Sequence, residues 1–191
     1  MFIPTSQFTF LQTIRRQHKK IACEFRRAYK ESQYIQEIVN AGMGIDTHLK
    51  NWVFENGLRE DQAGYNVRQG DHTALVIYKK GETITEIEAM NLLPLTTSLL
   101  DKVPGVFFAA ISVLGPNATL KEHTHTRQHY VYHLLLEDLI NGCCEMQCNG
   151  HKKELRNAGD EIMFDYSYRH SVKNHAQNRR INLMIDFLPC K

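Results

Sequence analysis

Excess charge of one sign is missing. Lys and Arg number 23, Asp and Glu 21, leaving a formal +2 over 191 residues. So small an imbalance gives no cationic field of the kind that nucleic acid or an anionic membrane surface needs in its main partner. Long apolar runs are missing too. No stretch approaches the roughly 18 to 20 residues that cross a bilayer. The opening MFIPTSQFTFLQTIRRQHKK lacks the early positive charge and unbroken apolar segment of a secretory signal. No membrane span and a cytoplasmic location are therefore expected. Cysteine is sparse and odd in number, five in all with Cys143 and Cys144 adjacent, which makes a poor disulfide framework and leaves reduced thiols as the expectation. Repeats and low-complexity segments are absent as well. What is present is ordinary: 42% hydrophobic and 23% charged residues, in a length that suits one domain spanning residues 1–191. Net charge says little about substrate, and the sequence assigns no oligomeric state.

Two periodicities divide the chain. From about Ser6 to Asn40, Phe8, Leu11, Ile14, Ile21, Phe25, Tyr29, Ile35 and Ile38 recur at helical spacing, which predicts one or two amphipathic helices. Their polar faces carry RRQHKK and FRRAYK, a solvated surface or a face for something acidic. GMGID ends this region, and an irregular stretch runs to about Gly70, so residues 1–70 form a mostly helical N-terminal part. Beyond it come TALVIY (73–78), GVFFAAISVL (105–114), HYVYHLLLE (129–137), CCEMQCN (143–149), DEIMFDY (160–166), HSVKN (170–174) and RRINLMIDFL (179–188). These are short, rich in β-branched and aromatic residues, and separated by GPN, NG, NG and NAGD turns, as strands are. One helical interruption, NLLPLTTSLLDKV (91–103), turns Leu99, Leu100 and Val103 inward. Evenly spaced strands with tight turns predict a sandwich or small barrel able to hold one ligand.

The chemistry concentrates in HTHTRQH (123–129), followed by His133. On extended chain His123 and His125 project from one face, as do His129 and His133 if that strand is regular. His170 lies on a later strand that a closed sheet could bring opposite. Imidazoles from two strands suffice to begin a metal site; histidine-rich strands also line proton-transfer or purely structural networks. The remaining histidines, His18, His48, His72, His151 and His175, read as ordinary surface or core residues. A zinc site of Cys144, Cys148, His151 and a further histidine is disfavoured by spacing. Cys-x3-Cys on a strand sets the thiols about 13 Å apart at roughly 3.3 Å per residue, against a Zn–S distance of about 2.3 Å.

The segments ISVLGPNATLKEHTH (111–125), HLLLE (133–137), AGDEIMFDYSYRHSV (158–172) and RRINLMIDF (179–187) together resemble the aspartyl/asparaginyl β-hydroxylase family of Fe(II)- and 2-oxoglutarate-dependent oxygenases. GDHTALVIYKKG, the leucine-rich helix and VPGVFFAAI fall in the same order, so the likeness spans roughly residues 70–189. The resemblance implies a mainly β fold, a double-stranded β-helix or jelly roll over residues 71–191, with the N-terminal α-helices packed outside. It implies His123 and His170 as iron ligands. Arg180, ten residues after His170, is implied as the clasp on the far carboxylate of 2-oxoglutarate, with Ser112 as its hydroxyl partner and His133 as a donor to the carboxylate nearest the metal. A guanidinium fork suits bidentate carboxylate capture as lysine does not.

Two departures from the family pattern stand out. Where many relatives have glycine two residues after the first histidine, this chain has His125, which either completes a three-histidine site or leaves the position to water. Where they often have an arginine, it has Val131, and the segment between the histidines is one residue shorter, so Arg127 or Gln128 is the candidate replacement. Asp165 and Asp186 are candidate acceptors to orient the ligand rings, or else ordinary strand-end residues. The implied activity is hydroxylation of an unactivated C–H bond of an amino acid or peptide by O2, with release of succinate and carbon dioxide. The competing class is a non-catalytic, cupin-like metal- or small-molecule-binding sensor module, which would have no need of Arg180 beside Ser112.

Overall fold

The computed structural model describes residues 1–33, 35–36, 39, 72–79, 91–125 and 128–188; the irregular stretch anticipated up to Gly70, with His48 and Ile38, lies outside them. The N-terminal amphipathic pattern includes two helices that are described in full, α1 (Thr9–Arg16) and α2 (His18–Glu31), and Gln33, Ile35, Gln36 and Val39 beyond them are helical as well. The break falls at Gln17, whose backbone N–H closes onto Ile14. Their buried residues, Leu11 and Ile14, then Ile21, Ala22, Phe25 and Ala28, repeat three or four apart along one face. Arg16, Lys19, Lys20, Arg26, Arg27 and Lys30 line the exposed one. A later helix, α3 (Pro94–Leu100), begins with proline and has no capping side chain of its own. Its free N–H groups are taken instead by the buried carboxylate of Glu24 from α2, which accepts from Leu95 N at 2.7 Å, Thr96 N at 2.9 Å and Thr96 Oγ1 at 2.6 Å. Leu99, Leu100 and Val103 are inward, as expected.

Among the described residues nine strands follow the same logic: β1 (His72–Lys79), β2 (Val106–Leu114), β3 (Thr119–His123), β4 (Tyr130–Leu135), β5 (Cys144–Cys148), β6 (His151–Leu155), β7 (Glu161–Asp165), β8 (His170–Asn174) and β9 (Arg180–Phe187). They make a five-stranded sheet in the order β1-β2-β9-β4-β7 and a four-stranded sheet in the order β3-β8-β5-β6, antiparallel throughout. The chain is mainly β, and the expected jelly roll with helices packed outside is what forms. Strands β3 and β6 were not anticipated, because TLKEH and HKKEL are largely exposed and polar, as suits the edges of a sheet.

The large sheet is apolar on both sides. Its outer face packs Ile111, Tyr132, Leu134, Met163, Leu183 and Ile185 under Leu11, Ile14, Ile21, Phe25 and Leu100 of the helices. Its inner face packs Leu114, Val131, Leu135 and Phe164 against Cys144, Met146 and Val172 of the small sheet. Each such side chain contributes about 1.5–3 kcal/mol relative to exposure. The alternation is clearest on β9, where Ile181, Leu183, Ile185 and Phe187 meet the helices while Arg180, Asn182, Met184 and Asp186, on the opposite face, look between the sheets. At Asn149 and Gly150 both φ angles are positive, 48° and 77°, the conformation of the tight turn that joins β5 to β6. Among the described residues no helix is long and apolar enough to cross a membrane.

Candidate metal centre and carboxylate pocket

His123 ends β3 and His170 begins β8, and the two are register partners on neighbouring strands. Their ring centroids lie 4.3 Å apart. The histidines therefore meet side by side in one sheet, not across the barrel as anticipated. Each ring is fixed by the same local device. Nδ1 of His123 donates to the Lys121 carbonyl at 2.7 Å, and Nδ1 of His170 to the Tyr168 carbonyl at 2.8 Å. A carbonyl oxygen only accepts, so Nδ1 carries the proton and Nε2 keeps its lone pair. Nε2 of His170 is buried without a hydrogen-bond partner.

His125 lies just past the end of β3, on the same side as His123. Its ring stacks on Tyr166 with centroids 3.6 Å apart and planes 12° from parallel. Ring centroids are 5.0 Å from His123 and 5.2 Å from His170, and both its nitrogens are buried and unpartnered. One ligand atom from each of His123, His125 and His170 falls within 4.8 Å of the others. Burial lowers the pKa of all three. The Lys121 carbonyl opposes that at His123, the other histidines add to it at His125, and His170 is brought to about 3 by burial and then His123. Neutral rings with open lone pairs are the form that binds a metal, so the donor set fits a divalent cation.

On the large sheet, near this group, lies a cation that has no carboxylate partner among the described residues. Arg180 is 1% exposed. Its Nη2 donates to Ser112 Oγ at 3.2 Å, and its Nε is buried with no acceptor. Burial lowers its pKa; among the described residues the group that bears on it electrostatically is Cys144, not an acid. Asn182, two residues on, turns its amide oxygen to Arg180 Nη1 at 2.9 Å and donates to the Ile181 carbonyl at 3.2 Å. The amide atom facing Arg180 also lies 3.5 Å from Nδ1 of His133. Burial, then the charges of Arg180 and His170, hold the pKa of His133 well below the ordinary imidazole value. His133 thus lies near enough to feel both the guanidinium and the imidazole cluster.

Other expectations are corrected. Asp165 and Asp186 do not orient the rings of His123 and His170, since backbone carbonyls do. Asp165 accepts from Ser167 N and Oγ and from Gln128 Nε2; burial pushes its pKa up, but these donors outweigh it and hold the group low. Exposed Gln128 is thereby spent on Asp165 and does not replace the family arginine; Arg127 lies outside the described residues. Asp186 is buried, its pKa raised by that burial, with Nε2 of the buried His129 3.4 Å from its Oδ2. Cys144 and Cys148 lie buried on the inner face of β5 while His151 is exposed, and they are not part of the imidazole cluster. His72, read as an ordinary histidine, places Nε2 3.3 Å from Ser112 Oγ. An isolated histidine at the start of a strand has no spacing pattern to reveal it. Asn182 was overlooked for the same reason.

A family model described as "Aspartyl/Asparaginyl beta-hydroxylase" matches residues 15–189, so the likeness reaches back through α2 into α1, beyond the span read from the motifs. No curated protein matches the sequence. Among solved structures, the chain is similar to the cupin domain of Schizosaccharomyces pombe Cnp3, with 10% identity, 65% of this chain and 69% of that one covered, and a TM-score of 0.44. A predicted oxalate decarboxylase from Thermotoga maritima gives 17% identity, 64% and 98% coverage, and a TM-score of 0.36. KdgF from a Halomonas species gives 16%, 46% and 73%, and 0.36. These three likenesses are too distant to bear on activity.

Proposed function

Since the chain belongs to the aspartyl/asparaginyl beta-hydroxylase family, we propose that it is an Fe(II)- and 2-oxoglutarate-dependent dioxygenase. Its substrate is an amino acid, or an aspartyl or asparaginyl residue in a peptide, hydroxylated at an unactivated C–H bond. One observation carries the reading: buried imidazole nitrogens without a partner lie close to a buried guanidinium that, among the described residues, no carboxylate neutralises. A buried cation left unpaired is costly, and a small diacid able to reach the metal would relieve that cost.

In this reading His123, His125 and His170 hold Fe(II), which suits imidazole ligands. Iron, 2-oxoglutarate and O2 together supply the oxidation: one oxygen atom goes to the C–H bond as hydroxyl, the other to succinate, and carbon dioxide leaves. The protein's part is positioning. Arg180 and Ser112 grip the far carboxylate, Asn182 fixes the guanidinium, and His133 faces the end nearer the metal. Tyr166 holds the plane of His125 by stacking. Buried Val131, Phe164 and Val172, packed between the sheets, keep the surroundings of the site apolar. The expected setting is cytoplasmic, with O2 and a small-molecule or peptide substrate as partners and no nucleic acid.

The test is anaerobic addition of Fe(II) and 2-oxoglutarate to purified protein, watching for the weak visible charge-transfer band. A band at saturating ligand, lost in His170→Ala with the iron itself, supports the proposal. Iron binding without any band would instead favour the sensor module. A screen of amino acids and peptides for stimulated succinate release then identifies the substrate.

A further inference from the structure

β1 opens on His72, partly buried, in register with Leu114 of β2. Burial first, then the charges of Arg180 and His123, bring its pKa down to about 3, so the ring is neutral at ordinary pH. Its Nε2 lies 3.3 Å from Ser112 Oγ, the same oxygen that receives Arg180 Nη2 at 3.2 Å. A hydroxyl has two acceptor positions and one proton. Arg180 can only donate, so it occupies one acceptor position. What His72 does with the second decides where the Ser112 proton goes.

Resting on 2-oxoglutarate as the cosubstrate, we propose that His72 is a positioning residue of the carboxylate pocket: its Nε2–H donates to Ser112 Oγ and thereby turns the serine proton toward the bound carboxylate. With both lone pairs filled, Ser112 can act only as a donor, and its Oγ–H is left to a bound carboxylate. In the other tautomer Ser112 would give its proton to His72 and present only lone pairs to an anion. His72 therefore acts through Ser112, and being neutral it adds no charge beside Arg180.

The experiment measures anaerobic 2-oxoglutarate affinity of the Fe(II)-loaded protein by calorimetry in a double-mutant cycle. His72→Leu is expected to weaken binding about tenfold, the scale of one hydrogen bond to a charged complex. His72→Gln, whose amide N–H reaches a similar point, should recover most of that loss. In a Ser112→Ala background, His72→Leu should have no further effect, an outcome that a merely structural role would not produce. If His72→Leu binds like the unaltered protein, or its loss adds fully to that of Ser112→Ala, the His72 assignment is overturned while the oxygenase reading stands. If the unaltered protein binds iron but no 2-oxoglutarate, both fall together.

Discussion

Arg180 shows how a single side chain is set against the interior around it. It is held by Ser112 and Asn182 and, among the described residues, by no acid, so the ligand-free fold carries its desolvation cost. Replacing it with Met should therefore raise stability, on the order of 1 kcal/mol or more, in urea unfolding without ligand, while 2-oxoglutarate affinity drops by orders of magnitude. A stability loss together with retained affinity would contradict the proposed role. His125 supplies the second case at this scale. With its nitrogens open and its ring stacked on Tyr166, His125→Gly should weaken Fe(II) by at least tenfold in a competition titration; an unchanged iron affinity would make it a bystander. The residue types were legible in the sequence where they clustered or followed family spacing, as for His123, His125, His133, His170, Ser112 and Arg180. His72 stood alone. The acceptors that orient the rings of His123 and His170 are backbone carbonyls, which no residue letter encodes.

At the scale of elements, polar contacts join pieces far apart in sequence. Glu24 ties α2 to the first turn of α3 through three hydrogen bonds. Glu24→Ala should cost about 2–3 kcal/mol, since cap bonds to a charged group are among the stronger ones. Amide exchange at Leu95 and Thr96 should accelerate with it, and a melting curve that does not move would refute the clamp. Gly142 is constrained by space alone. A Cβ there would stand 2.5 Å from the His175 carbonyl oxygen and 2.7 Å from the Ala176 Cα, where the β4–β5 and β8–β9 connections are bonded by His175 N to Cys143 O and Gln177 N to Ile140 O. Gly142→Ala is expected to cost about 1–3 kcal/mol as an overpacking change, checked by denaturant midpoint. Sequence patterning found the buried strands and the Asn149–Gly150 turn, because alternation and positive φ leave compositional marks. It passed over β3 and β6, whose exposed polar residues look like loop, and it did not show that β3 pairs with β8, a contact fixed only when the whole sheet closes.

For the molecule as a whole, the buried imidazoles tie stability to pH. In the unfolded chain a histidine titrates near 6.5, whereas His72 and His170 are held at about 3, chiefly by burial. Below pH 6.5 the unfolded chain binds protons that the fold refuses. The stability contributed by the neutral rings is complete above pH 6.5 and is lost as pH falls toward 3, at about 1.4 kcal/mol per pH unit for each group. The metal-free protein should thus lose several kcal/mol between pH 6.5 and 4.5, measured by urea midpoints, and His72→Gln should remove about one proton from that slope. A flat profile would show that the rings are not held neutral. Jelly-roll topology was legible because it follows from strand count, turn spacing and family likeness together. β9 shows what this architecture permits: its odd-numbered residues grip the helices and its even-numbered ones face the cavity. Selection can therefore retune ligand preference along one edge of the backbone without disturbing the adhesive on the other, whereas inserting a single residue would exchange the two sets and abolish both at once.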